Sequence, residues 1–490
     1  MRAFMRDGVG ASAQRRGSAG PECAEARTRV IDIKEYGRRV RPPIQQFCFH
    51  GARNACMFEP SGGHAHTVVR PPCAATPRPH IRQMQRVIVP IRTVLAHRDL
   101  TIVLVCNLLL GLAFSFVGPF YSMFGTIEVG MSNWTFGVFM TITSVAGIIL
   151  STVLARWSDT RYSRRAILLL GCGFGVAGYA GYAYVRSVLW LTVIGSIGLG
   201  IASITFSQLF AYAREAIERH GVPDDEAPLY MNIYRLTLSL AWTIGPGAAA
   251  WVMIRYSYRG TFLVCAGFFL LLMVIVWLYV PARPPSIAAS AARVPLFRLL
   301  KRPDLLCYFS AFSLVFVCMT MGIMNLPLMI LQTLGGTQKQ VGITYSVAPF
   351  FELPFLLLFG LAASKGGRPE PLIRLGVMIA VAYYALLSQV RAPWQVYPIQ
   401  ILSAAMIAIL SGIAITFFQS YIPNQPGTAT NLYTNANRVG STVGYLFYGS
   451  LASALGHRAV FLVCTGVCAA AFLLLWLSRE EHEHQATAGA

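Results

Sequence analysis

Glu352, in the stretch Ala348-Pro349-Phe350-Phe351-Glu352-Leu353-Pro354-Phe355, is the one acidic residue deep within an apolar run long enough to cross a bilayer. An ionisable group at the centre of a membrane costs about 2.5–3.5 kcal/mol on insertion scales, so such a residue is expected to have a task. Taking a carboxyl out of water disfavours its charged form and brings proton uptake and release near neutral pH within reach. Glu352 is therefore the candidate proton-coupling group. The alternative is a neutral, hydrogen-bonded glutamic acid beside a kink at Pro354.

Two arginines sit about a turn and a half inside other apolar runs. They belong to a repeated pattern, Tyr230-x-Asn232-x-x-Arg235 and Tyr433-x-Asn435-x-x-Arg438, separated by 203 residues at all three positions. On a helix, residues three apart share a face, so Asn232 with Arg235, and Asn435 with Arg438, form polar stripes at corresponding places. Such stripes are expected to line a cleft between two related halves, although each arginine could instead snorkel to the headgroups. Recognition of a polyol uses amides and guanidinium groups against hydroxyls and an aromatic ring against the apolar sugar face. Asn107, Gln208, Asn325 and Trp242 supply those types inside apolar runs. The competing reading is that the amides join helix to helix and the tryptophan packs.

The elements that must position these residues follow from composition. The chain has 490 residues, 55% hydrophobic and 12% charged, against about 25% charged in soluble domains. Apolar runs near 20 residues, the length that spans a bilayer, occur at about 100–124, 134–155, 166–185, 188–212, 230–254, 260–280, 305–332, 340–363, 372–390, 395–418, 432–454 and 459–477. Runs of this length without alternation can satisfy their backbones only as helices. An all-α membrane protein of twelve helices in two six-helix halves, related by a pseudo-two-fold axis, is expected. The halves are 84–280 and 305–477, joined by a Pro/Ala/Arg-rich cytoplasmic linker over 281–304 and followed by a cytoplasmic tail over 478–490. With the N-terminus inside, the inner loops and tail hold fourteen Lys and Arg and the outer loops six, which places both termini on the cytoplasmic side.

The net charge is +20, and residues 1–99 carry half of it, with 17 Lys and Arg against 7 Asp and Glu. No basic folded face with interleaved aromatics accompanies it, so no nucleic-acid partner is expected. Residues 1–83 read either as a disordered tail or as an extension ahead of a natural start at Met84. The 11 cysteines form no close CxxC pair, which implies neither disulfide nor metal. No acidic pair, HxxxH or Ser/His/Asp set points to a membrane-embedded enzyme, and the tail is too short for the signalling domain of a sensor.

Several strings resemble the bacterial sugar efflux transporter family of the major facilitator superfamily. They are Ser207-Gln208-Leu209-Phe210-Ala211-Tyr212-Ala213-Arg214-Glu215, Arg235 with Leu238-Ser239-Leu240-Ala241-Trp242 through Gly245-Pro246, Ile323-Met324-Asn325-Leu326-Pro327-Leu328, Glu352-Leu353-Pro354, and Leu432-Tyr433-Thr434-Asn435 with Arg438-Val439-Gly440. The loop Ala155-Arg156-Trp157-Ser158-Asp159-Thr160-Arg161-Tyr162-Ser163-Arg164-Arg165 resembles the superfamily's G-x-x-x-D-R-x-G-R-R gate motif, with Ala for its first Gly and one extra residue before the Arg pair. The resemblance covers about 100–477. It implies a monomeric secondary transporter of the bacterial inner membrane, without cofactor or metal, exporting mono- or disaccharides and glycoside-like molecules against protons. It also implies a cytoplasmic gate at Asp159, Arg164 and Arg165. Gly245-Pro246 is similar to the antiporter motif of facilitator exporters. Phe350 and Phe351 depart from the small residues expected before Glu352, and with 16 methionines they keep a multidrug/proton antiporter as the alternative.

Overall fold

The computed structural model describes residues 92–222, 227–282, 300–364, 369–422 and 426–488. The extension expected over 1–83 and most of the linker expected over 281–304 lie outside the described residues. Among the described residues every regular element is helical, as lipid requires of a backbone with no water to bond.

In chain order, α1 is Arg98–Glu128, α2 Asn133–Thr160, α3 Arg164–Tyr184 and α4 Val188–Arg219. In the second half, α7 is Pro303–Thr333, α8 Gln338–Ser364, α9 Glu370–Gln389 and α10 Pro393–Tyr421. Local chemistry sets several of the starts. Ser132 accepts from Thr135 N at 3.0 Å and Ser163 from Ala166 N at 3.3 Å, each satisfying an otherwise orphaned N–H at a helix start.

Two runs are too long to be single spans. Ala227–Tyr279 and Pro426–Ala488, of 53 and 63 residues, would reach roughly 80 and 95 Å if straight, against a hydrocarbon core of about 30 Å. The backbone leaves the helix at Ser257 (φ 58°, ψ −172°) and at Gly456 (φ 79°, ψ 170°). Packing shows that the chain reverses there. Ala241 O accepts from Ser115 Oγ at 3.1 Å, and Cys265 Sγ reaches Ala113 O at 3.3 Å, so residues 24 apart in sequence flank the same turn of α1. Gly444 likewise abuts Val317 and Thr320 of α7, while Cys318 Sγ on the same stretch meets Cys464 O at 3.5 Å. The runs are therefore α5 (227–256) with α6 (258–279), and α11 (426–455) with α12 (457–488), giving the twelve expected spans. Within the tail expected over 478–490, α12 continues as helix through Ala488.

The two sets of six repeat one plan. Helix α1 packs between α5 and α6, and α7 between α11 and α12. Both α1 and α7 end in a π-helical turn, Phe124–Glu128 and Met329–Thr333. Each turn is followed by a glycine at positive φ, Gly130 (78°) and Gly335 (65°), a conformation other residues rarely adopt. Exposed aromatics ring both ends of the bundle: Trp134, Tyr184, Trp190, Tyr256 and Trp394 at one, Trp157, Tyr162, Trp277, Tyr279 and Trp476 at the other. Paired girdles of Trp and Tyr are what two membrane–water interfaces select.

The end of the bundle bearing the loop between α6 and α7 is called the linker end, and the opposite one the far end. At the far end the halves close on each other through two matching crossings. A Cβ on Gly137 of α2 would lie 2.7 Å from Tyr445 O and 2.8 Å from Gly449 Cα of α11, and one on Gly342 of α8 would lie 2.7 Å from Pro246 O of α5. Only glycine permits backbones this close.

Candidate functional site

On the linker side of the α2/α11 crossing lies a cavity of about 380 Å³, within the size range of small-molecule sites. Its walls come from one half: Thr143, Ser144 and Ser151 of α2, Ser203 and Ser207 of α4, and Tyr121 of α1. The other half supplies Arg438 and Tyr445, both from α11. Helix α4 reaches the cavity through a π-helical stretch, Ile194–Leu199, which turns Gly195 and Leu199 to the opening. At the upper edge Ser144 and Thr442 share a hydrogen bond of 3.0 Å across the halves, just inside the Gly137 crossing.

A second, smaller cavity of about 100 Å³ occupies the corresponding place in the other half. Tyr345, Tyr383, Tyr384, Gln400 and Ser403 line it with several apolar side chains, and Trp242 enters it from α5. Trp242 and Tyr445 are 203 residues apart, the same offset that separates Arg235 from Arg438. Each half thus inserts an aromatic residue, from α5 or α11, into the cavity of its partner half. The ring of Trp242 rests on Gly118, where a Cβ would lie 3.0 Å from it.

Glu352 lies on α8 between Pro349 and Pro354 and is half-buried. Across the seam between halves it faces Arg235, with Ser239 of α5 within hydrogen-bonding reach. The same guanidinium acts electrostatically on Tyr433 of α11. Arg235 and Arg438 therefore both look across the interface. Asn435 is half-buried on α11, while the side chains of Asn232 and Asp159 lie outside the described residues.

Three of the expected ligand amides do not reach either cavity. Asn107, 1% exposed, gives its amide protons to Tyr234 O and, at 2.7 Å, to Thr237 Oγ1 of α5; it joins α1 to α5. Asn325 is fully buried and donates to His457 O at 2.8 Å, while its Oδ1 meets His457 Nδ1 at 2.7 Å. It ties α7 to the reversal at Gly456, and Gln332 holds the other imidazole nitrogen at 3.0 Å. Gln208 accepts from Ser158 Oγ at 2.7 Å and from Arg164 Nη1 at 3.1 Å. In each case a buried amide with a polar backbone or side chain in reach pairs with it rather than facing a cleft, because an unpaired amide in lipid is costly.

Of the expected gate residues, Arg164 pairs with Glu215 of α4, and Arg165 donates to Trp277 O in the last turn of α6 at 2.6 Å. A cation at a helix C-terminus complements its dipole. The two arginines thereby staple the start of α3 to α4 and α6, all within one half. Sequence reasoning did not single out Glu215, nor the serines of the cavity wall. The signal was present in the spacing: Ser144 and Ser151 are seven apart on α2, and Ser203 and Ser207 four apart on α4, so each pair shares a helix face.

Comparison with known proteins places the chain in a family and a fold. The family model described as Major Facilitator Superfamily matches residues 103–444. "Sugar efflux transporter A" of Dickeya chrysanthemi is 32% identical over 377 residues, 77% of this chain and 95% of that protein. "Sugar efflux transporter A" of Escherichia coli K12 is 28% identical over 366 residues, 75% of this chain and 92% of that one. Among solved structures the nucleoside transporter NupG superposes with a TM-score of 0.62 at 13% identity, covering 77% of this chain and 98% of that chain, which shows a shared fold.

Proposed function

The chain belongs to the Major Facilitator Superfamily and, within it, to the sugar efflux transporters, and from that premise we propose that it exports mono- or disaccharides and glycoside-like molecules in exchange for protons. It is a multi-pass membrane transporter. The observation that carries the sugar reading is the hydroxyl-rich cavity between the halves with Arg438 reaching into it. A polyol matches such a lining, since each sugar hydroxyl can both donate and accept. Asn232, Arg235, Trp242, Asn435 and Arg438 are the substrate-facing set on this reading. Asn107, Gln208 and Asn325 hold helices in place instead.

Glu352 is the proton-coupling group on this reading. On this reading its ionised carboxylate attracts Arg235 across the α5/α8 seam. Proton uptake removes that attraction, frees the Arg235 guanidinium toward the substrate path and loosens the contact between halves. Substrate and proton then bind to alternate forms of one seam, which is what exchange requires. The chain lies in the bacterial inner membrane with its linker end cytoplasmic, in keeping with the loop charges, and works as a monomer. Arg164 and Arg165, with Asp159, brace the cytoplasmic gate.

The competing drug-export reading has the apolar cavity beside Trp242 in its favour. Counterflow in proteoliposomes separates the two. Labelled D-glucose, D-galactose and lactose are run beside a panel of lipophilic cations. Exchange of at least one sugar, and of no cation, is expected; exchange of the cations alone would replace sugar export with drug export.

A further inference from the structure

The hydroxyl wall of the larger cavity has a direction. Thr143 Oγ1 donates to Met140 O at 3.0 Å, Ser151 Oγ to Ile148 O at 3.2 Å, Ser203 Oγ to Gly200 O at 2.7 Å and Ser207 Oγ to Ile204 O at 3.1 Å. Each hydroxyl has a single proton and two lone pairs, and here the proton is spent on a carbonyl one turn back along the same helix. The lone pairs remain for a ligand. Arg438, which enters from the other half, is the reverse case, with five N–H donors and no acceptor. One side of the cavity accepts and the other donates.

We propose, resting on the sugar-export reading above, that α2 and α4 recognise substrate hydroxyls as donors, with Ser203 and Ser207 as the chief acceptors and Arg438 as the opposing donor. The serine wall then selects for the hydrogen of a sugar hydroxyl rather than its oxygen. This assigns specificity to residues that ordinarily only join helices. It also explains why four of the five hydroxyls that α2 and α4 bring to the cavity give their protons to their own helix, while Arg438, the cation among its described lining residues, comes from the other half. A ligand that donates to the serines and accepts from Arg438 touches both halves at once.

Fluorine distinguishes donors from acceptors, because a C–F group accepts weakly and cannot donate. Monodeoxy and monodeoxyfluoro analogues of whichever of D-glucose and D-galactose exchanges faster, or of both parts of lactose, compete against the labelled parent in counterflow with the full chain. At positions facing the wall, removing the hydroxyl is expected to weaken competition about tenfold, the worth of one hydrogen bond, and fluorine is expected to restore none of it. Ser203→Ala and Ser207→Ala, tested singly, keep a good helix former in place. At least one of them should weaken the parent about tenfold while leaving the deoxy analogue at that position unchanged. Two results would overturn the proposal while leaving sugar export intact: a fluoro analogue within about threefold of the parent at the serine-dependent position, or no position depending on either serine. Failure of all three parent sugars to exchange would remove the export reading and this proposal with it.

Discussion

Replacing Gly137 with alanine should unseal the far end. A Cβ there would sit 2.7 Å from Tyr445 O and 2.8 Å from Gly449 Cα, both backbone atoms, while ordinary contact begins at 3.4 Å. Neither atom belongs to a flexible side chain that could swing aside, so α2 and α11 must part by about 0.7 Å. A gap of that size forfeits about a quarter to a half of the dispersion attraction along the contact, and overpacking of this kind costs roughly 1–3 kcal/mol. That energy is charged only to the state with the far end closed. At about 1.4 kcal/mol per tenfold, the closed population falls roughly 5- to 150-fold relative to the open one. The readout is labelling of a cysteine at Thr442, just inside the seal, by a membrane-impermeant maleimide added at the far face. The native cysteines among the described residues are buried or half-buried and contribute little. Gly137→Ala should raise the labelling rate within that range. Gly267→Ala, where a Cβ meets nothing within 4 Å, should leave it unchanged. Equal rates for the wild type and Gly137→Ala would refute the glycine crossing as the seal.

Further outcomes are specific. Glu352→Gln should retain counterflow of the sugar, because binding and the swing between states remain, yet lose all response to an imposed pH gradient. A gradient response equal to that of the wild type would remove Glu352 from proton coupling. Asn325→Ala leaves the carbonyl and ring nitrogen of His457 unpaired, which should cost about 1–3 kcal/mol, visible as a lower unfolding temperature in detergent with sugar affinity unchanged. Arg438→Met should do the opposite, keeping thermal stability while weakening sugar binding at least tenfold. A chain beginning at Met84 should insert and transport like the full one, since the loop charges that orient it lie after that residue; lost transport would make 1–83 a working part.

The helices were legible because lipid demands one thing of every span: about 20 apolar residues that bond their own backbone. The reversals at Ser257 and Gly456 fell in the gaps already visible between runs. Arg235 and Arg438 could be read together because duplication wrote the same stripe twice. The amides were harder. Asn107, Asn325 and Gln208 have the residue types of a sugar site, but a residue type does not give the direction in which a helix is rotated, and packing turned all three toward neighbouring helices. The serine wall stayed hidden for the complementary reason. Thr143, Ser151, Ser203 and Ser207 each bond their own helix backbone, as many membrane-helix hydroxyls do, and only the cavity shows that the four converge. Glu215 sat in view within a motif string, yet its pairing with Arg164 depends on α3 and α4 meeting at the linker end.

The most direct test of the account is accumulation of the exchanged sugar against its gradient in proteoliposomes with an imposed pH difference. One proton per sugar and about 1.36 kcal/mol per pH unit set a limit near tenfold accumulation for each unit. The account predicts that sugar concentrates on the acidic side, from which protons leave down their gradient, and that it equilibrates when the gradient is collapsed by an ionophore. Sugar that only equilibrates across the bilayer, whatever the pH difference, would contradict proton-driven export.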